Sequence, residues 1–177
     1  KSGEYELAYK QFNHAKCMSD QLSSFQALVE SHNPYQKEVI ERFYQLHSED
    51  VQTIDRWFSV QSISPSISVA GIRELMSHKL FTMKNPNRVR SLLGAFAQNH
   101  IQFHCQEGYQ LMTEVIIELD ALNPQIAARL ASVFNHWRRF TSHYSKLQEA
   151  ELKTISEVDN LSNDVYEIVH IALEGRT

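Results

Sequence analysis

A chain of 177 residues with 17 lysines and arginines against 21 aspartates and glutamates carries a formal charge of −4, which gives no reason to expect nucleic acid or an anionic membrane as partner. Five glycines and four prolines are too few for a turn-rich β protein, and 42% hydrophobic residues suffice for one core at this length. No apolar run approaches the roughly 18 residues of a membrane span, and Cys17 and Cys105, without C-x-x-C spacing, read as reduced thiols of a reducing compartment, the cytoplasm.

The chain opens Lys1-Ser2-Gly3-Glu4 with no initiator methionine and no signal-like segment, and runs straight into helical sequence. That start suggests a piece of a longer polypeptide. Apolar residues then recur at helical spacing: Leu22, Phe25, Leu28 and Val29, followed by Val39, Ile40, Phe43 and Leu46. Val51, Ile54 and Phe58 form the next stripe, and the Ser-rich stretch Ser59 to Ser68 reads as a looser connection. Ile72, Leu75 and Met76 precede Val89, Leu92, Leu93 and Phe96. Met112, Val115, Ile116, Leu119 and Leu122 predict a central helix buried on several sides. Ile126, Leu130, Phe134 and Trp137 predict one further helix, and Val165, Ile168, Val169 and Ala172 close the chain.

All four prolines follow a short polar residue, in Asn33-Pro34, Ser64-Pro65, Asn85-Pro86 and Asn123-Pro124. Such a side chain can accept from first-turn amides, and proline at the next position gives up an amide with no helical partner. Each pair therefore predicts a helix start, Asn33 reinforced by Gln36 at capping-box spacing. The expected fold is all-α: one domain over residues 1–177, an irregular, solenoid-like superhelical stack of about ten helices in antiparallel pairs.

The chemistry-bearing patterns are few. H-E-x-x-H, G-x-S-x-G and glycine-rich phosphate loops are all absent from the sequence. His100 and His104 stand one helical turn apart before Cys105, a spacing that could aim two nitrogens at one ion. No carboxylate follows at a suggestive offset, so packed or solvated histidines are the plainer reading, and no metal site is expected. After Asn123-Pro124 a polar stripe runs through Gln125, Arg129, Ser132, His136 and Arg139. Gln125 and Arg129 point the same way near the helix amino end, where free amides and a guanidinium suit a carboxylate or peptide carbonyl. A solvent face carrying an arginine fits the same spacing. Asn87, Arg90 and Gly94 lie on one side of the helix after Asn85-Pro86, where Gly94 reads as close helix packing or a ligand's approach.

The run from Phe81 to Phe96, FTMKNPNRVRSLLGAF, closely resembles a segment of the bacterial aminopeptidase N family, zinc metallo-aminopeptidases of the gluzincin class. Met18-Ser19-Asp20, Asp55-Arg56-Trp57-Phe58 with Gln61, Leu122 to Leu130 and Asn160 to Glu167 agree in the same order. The resemblance implies the C-terminal helical domain of a multidomain enzyme that removes N-terminal amino acids from peptides. Zinc and the catalytic glutamate would lie in an upstream domain of the same polypeptide, so this segment would need no cofactor and be inactive alone. The domain would close over the catalytic cavity and limit entry to peptides. Carried over residue by residue, Gln125 matches a glutamine near the ligand's first side chain, and Arg129 and Arg90 match cavity arginines. Ala97 to Tyr109 departs from the family pattern, and no role carries over there. A free-standing helical scaffold with a peptide or protein in its concave face remains the alternative.

Overall fold

The computed structural model describes residues 2–175. Ten α-helices and no strand occur among them. They are α1 (Ser2–His14), α2 (Met18–Glu30), α3 (Gln36–His47), α4 (Val51–Ser62), α5 (Val69–Met76), α6 (Pro86–Val89), α7 (Gln106–Asp120), α8 (Pro124–Ala131), α9 (Ser142–Ser156) and α10 (Asn163–Glu174). In the first half α1 packs on α2, and α2 on α3 and α4. In the second half α7 packs on α8 and α9, and α10 on the same two helices. This is the expected solenoid-like helical stack.

Most of the stripes read from the sequence join one core, but Leu46, Val51 and Leu122, expected on buried faces, are exposed because each lies at or just beyond a helix end. Phe25 and Phe43 are fully buried and stacked with ring centroids 4.3 Å apart. α7 is the central helix: Leu111, Met112, Val115, Ile116 and Leu119 are all buried. At its end the carboxylate of Asp120 accepts from the amide of Ser162 (2.8 Å) and from its hydroxyl, which fixes the start of α10. Ser162 Oγ in turn accepts from the amide of Val165, capping that helix.

Two of the four proline pairs start helices as expected. Asn85 Oδ1 accepts from the amides of Asn87 and Arg88, and Asn123 Oδ1 from that of Ile126. The other two pairs make turns. Asn33 accepts from Tyr35, and α3 begins only at Gln36, whose side chain donates to Val29 O rather than closing a capping box. Ser64 donates to the same carbonyl across 35 residues, while α5 is capped by Ser68. The physical reason is tertiary. Both polar side chains, and Gln36 with them, satisfy carbonyls at the exposed end of α2 (Leu28, Val29 and Ser31 O), which a helix end leaves without partners.

The Ser59 to Ser68 stretch is also tighter than its composition suggests. Ser59 to Ser62 complete α4, and Ser62 and Ser64 are buried. Buried Asn99 donates to Ser62 O (3.0 Å) and Ser64 O (2.9 Å) while accepting from the amides of Ile101 and Gln102. A third departure follows α8, which stops at Ala131. Ser132–Phe134 and Trp137–Arg139 are separate 3₁₀ turns, so Phe134 and Trp137 do not extend that helix.

Candidate functional site

The helix that starts at Asn85-Pro86 widens after α6. Arg90–Gly94 forms a π turn, closed by the Ala95 amide donating to Arg90 O, before two further α-helical residues. Such turns insert a residue and re-aim the side chains around it, and they are frequent at functional sites. The segment is held from beneath by Arg88, which is buried and ion-paired with Asp55. Its guanidinium also donates to Val51 O (3.2 Å) and Leu80 O (3.1 Å) and lies over the Phe58 ring. Two motifs that are separate in the chain, Asp55-Arg56-Trp57-Phe58 and Asn85 to Gly94, thus form one unit.

On the outer side of this unit lies a groove of about 450 Å³, a size that suits a small ligand or peptide side chain. One wall carries Arg90 and Gly94, a second the Ala97 to His104 connection, and a third α8 and the 3₁₀ turns after it. Arg129 lines the groove from α8, together with Ser132 and His136 of the predicted polar stripe. Arg139 lines a smaller neighbouring hollow with Arg138. Arg90 also borders a second depression, formed with Gln52, Asp55, Arg56 and Asn87. Its guanidinium is held by Asn87 Oδ1 (2.8 Å) and, more weakly, by Pro86 O. Arg90 and Arg129 therefore meet one space, although 39 positions separate them in the chain (129 minus 90). Gln125 is exposed one turn before Arg129 and does not line the groove.

Gly94 is not a close-packing glycine. A Cβ there would meet nothing nearer than Arg90 Cβ at 3.9 Å, because the position opens into the groove. The tight glycine is Gly108 in the first turn of α7, where a Cβ would lie 2.3 Å from Phe103 O. Nothing in the local sequence around Gly108 signals that approach, which depends on the path of the preceding loop.

The groove contains chemistry that the resemblance did not assign. His100 and His104 stack with ring centroids 6.2 Å apart, and His104 Nδ1 lies 2.9 Å from Tyr109 Oη. Gln148 donates to the same hydroxyl (3.2 Å). Burial first, then Tyr144 and Cys105, push the Tyr109 hydroxyl up to about 12, so it keeps its proton. It can donate that proton to Nδ1, which leaves the neutral His104 proton on Nε2. Burial, and secondarily charge on His100, hold His104 below the ordinary imidazole range. Among the described residues no three His, Cys, Asp or Glu side chains converge as metal ligands. His104 instead engages Tyr109 through Nδ1.

Comparison with known proteins agrees with the fold and extends it. The family described as "Domain of unknown function (DUF3458_C) ARM repeats" matches residues 1–174. The chain belongs to that family of helical-repeat domains. It is 34% identical over 171 residues to aminopeptidase N of Escherichia coli (strain K12), covering 94% of this chain and 20% of the relative. Against aminopeptidase N of Haemophilus influenzae it is 34% identical over 172 residues, covering 95% and 20%. The crystal structure of Legionella pneumophila aminopeptidase A in complex with aspartic acid superposes with a TM-score of 0.92 at 29% identity, over 98% of this chain and 21% of that one. The chain thus corresponds to a C-terminal part of aminopeptidase N-like proteins and spans about a fifth of the length of the curated relatives it matches.

Proposed function

We propose that this chain is the accessory C-terminal domain of a zinc-dependent aminopeptidase that removes N-terminal amino acids from peptides in the cytoplasm. In this reading it caps the catalytic cavity, shapes access to it and does no chemistry alone. The observation that carries the reading is the match over nearly the whole chain to one-fifth of proteins named aminopeptidase N, combined with Arg90 and Arg129 on a single groove. Zinc would be held by the part of the polypeptide outside this chain, since the described residues offer no ligand set.

The groove residues supply binding and orientation. Arg129 presents a guanidinium to a peptide carboxylate or carbonyl beyond the cleaved residue, and a charged donor makes that bond stronger than a neutral one. Arg90, pre-positioned by Asn87, gives a second donor on the facing wall. Gln125 would meet the ligand's first side chain from the exposed start of α8. Among the described residues no helix is long and apolar enough to cross a membrane.

The test compares the full-length polypeptide with this chain alone on aminoacyl anilides. The full-length protein is expected to show chelator-sensitive hydrolysis, and the isolated chain none with or without added zinc. Robust chelator-sensitive turnover by the isolated chain would sink the accessory-domain reading.

A further inference from the structure

The charge in the groove runs against the charge of the protein. The chain has more carboxylates than lysines and arginines, 21 against 17. Yet Arg90, Arg129, His100, His104 and His136 line the groove, and no aspartate or glutamate does. The hollow beside it repeats the pattern, with Arg138 and Arg139 next to His136 and no carboxylate among its described lining residues. The cations are all arginines or imidazoles, whose planar N–H groups match a carboxylate better than an ammonium does. Between them lie Phe103, Leu130 and Phe140, which lower the local polarity and strengthen any charge contact made there.

The histidines are also placed rather than scattered. Tyr109, its hydroxyl held by Gln148, anchors His104 by its Nδ1 edge, Phe140 packs beside its ring, and His100 stacks on it. The ionisable groups that bear on His104 are His100 of its own connection and Tyr109 of α7. Tyr144 of α9 acts on Tyr109. None of these is a carboxylate. An arriving carboxylate would therefore be the negative partner that the cluster lacks.

We propose that this groove selects peptides with an acidic side chain downstream of the residue to be removed, Arg90 and Arg129 pairing with the carboxylate and the imidazole N–H groups beside them adding further donors. The identity of the ligand as a substrate rests on the accessory-domain reading. The preference for an acidic peptide rests on the groove itself. A glutamate side chain stays ionised above about pH 5, so at neutral pH an acidic peptide should bind more tightly than its glutamine counterpart.

The experiment uses fluorescein-labelled tetrapeptide amides with glutamate or glutamine at the second, third or fourth position. Anisotropy titration against this chain is run at about pH 7. At one or more positions the glutamate peptide is expected to bind about tenfold more tightly than its glutamine counterpart, as one added charge-assisted bond would give. The exposed double variant Arg90→Gln/Arg129→Gln should remove that difference with an unchanged far-ultraviolet spectrum, and His32→Gln, outside the groove, should leave it intact. Glutamate and glutamine peptides that bind alike at every position overturn the proposal, as does a preference untouched by the double variant. The second arm measures kcat/KM for the same unlabelled peptides with the full-length polypeptide. No chelator-sensitive hydrolysis together with intact acidic-peptide binding would refute the aminopeptidase reading alone. Hydrolysis with a glutamate-to-glutamine ratio near one would refute this inference alone.

Discussion

Arg88 and Asp55, 33 residues apart, form a buried ion pair that joins α4 to the helix carrying Arg90. Arg88 is the more deeply buried partner, its side chain 7% exposed against 20% for Asp55. Three further contacts, to Val51 O, Leu80 O and the Phe58 ring, surround the guanidinium and leave it little access to water. The groove wall is thus built on a charge that must stay neutralised.

Asp55→Ala should therefore destabilise the chain by about 3 kcal/mol, the low end for removing one partner of a buried pair because Asp55 keeps some solvent. Urea unfolding followed by circular dichroism measures it. A loss under about 1 kcal/mol would mean that the pair acts as a surface contact.

Asn99 and Asn123 look alike in the sequence but hold different amounts of structure. Asn123→Ala removes a helix cap and should cost about 1 kcal/mol. Asn99→Ala strips the partner from the carbonyls of Ser62 and Ser64 and from two amides. At about 1–3 kcal/mol for a stranded buried group, Asn99→Ala should be the clearly larger loss in the same urea experiment.

The two glycines near the groove should also respond differently. Gly94→Ala meets only ordinary contact and removes unfolded-state freedom, so it should be neutral or stabilising by about 0.5 kcal/mol. Gly108→Ala would drive a methyl into the backbone oxygen of Phe103 and should lower the melting temperature by several degrees. Equal melting temperatures for the two variants would contradict this geometry.

Arg129→Ala in the full-length polypeptide should reduce kcat/KM on tripeptides by roughly 10- to 150-fold, the worth of a charge-assisted hydrogen bond. The loss should fall mainly in KM if the contact is equally strong in ground and transition states. Aminoacyl anilides, too short to reach the residue, should be turned over nearly as before. Losses on both substrate classes would indicate a folding defect, and losses on neither an arginine without substrate contact.

Acid should weaken the fold. Burial holds His47, His78 and His104 below the ordinary imidazole value. In the window between their folded values and about 6.5 the unfolded chain binds more protons, so stability falls as pH falls through it. Asp50, depressed by its bond to the Thr53 amide, acts in the same direction at lower pH. Melting temperatures at pH 7.5 and pH 5.5 should show the decline. His78 sits among Tyr44, Trp57 and Phe58, and His78→Gln should make that decline shallower.

Periodicity and punctuation made much of the architecture legible. Most of the apolar stripes from Phe25 to Ala172 became buried faces of helices, because 3.6-residue spacing has one outlet once a core exists, while Leu46, Val51 and Leu122 at helix ends stayed exposed. Asn85-Pro86 and Asn123-Pro124 declared their helix starts because capping is satisfied within four residues of chain. The resemblance around Phe81 to Phe96 supplied the family, and with it Arg90 and Arg129 as candidates. What sequence could not supply were contacts whose partners lie far along the chain. Asn33 and Ser64 serve the end of α2 rather than helices of their own, Asn99 anchors a connection 35 residues upstream, and Gly108 is dictated by the carbonyl of Phe103. The groove is of the same kind. His100 and His104 read along one segment as packed or solvated histidines, and only the packing of α8 and its 3₁₀ turns against that segment placed them with His136 and two arginines. Local hydrogen bonds and periodicity are encoded in neighbours, whereas a binding surface is decided by which distant segments the core brings together.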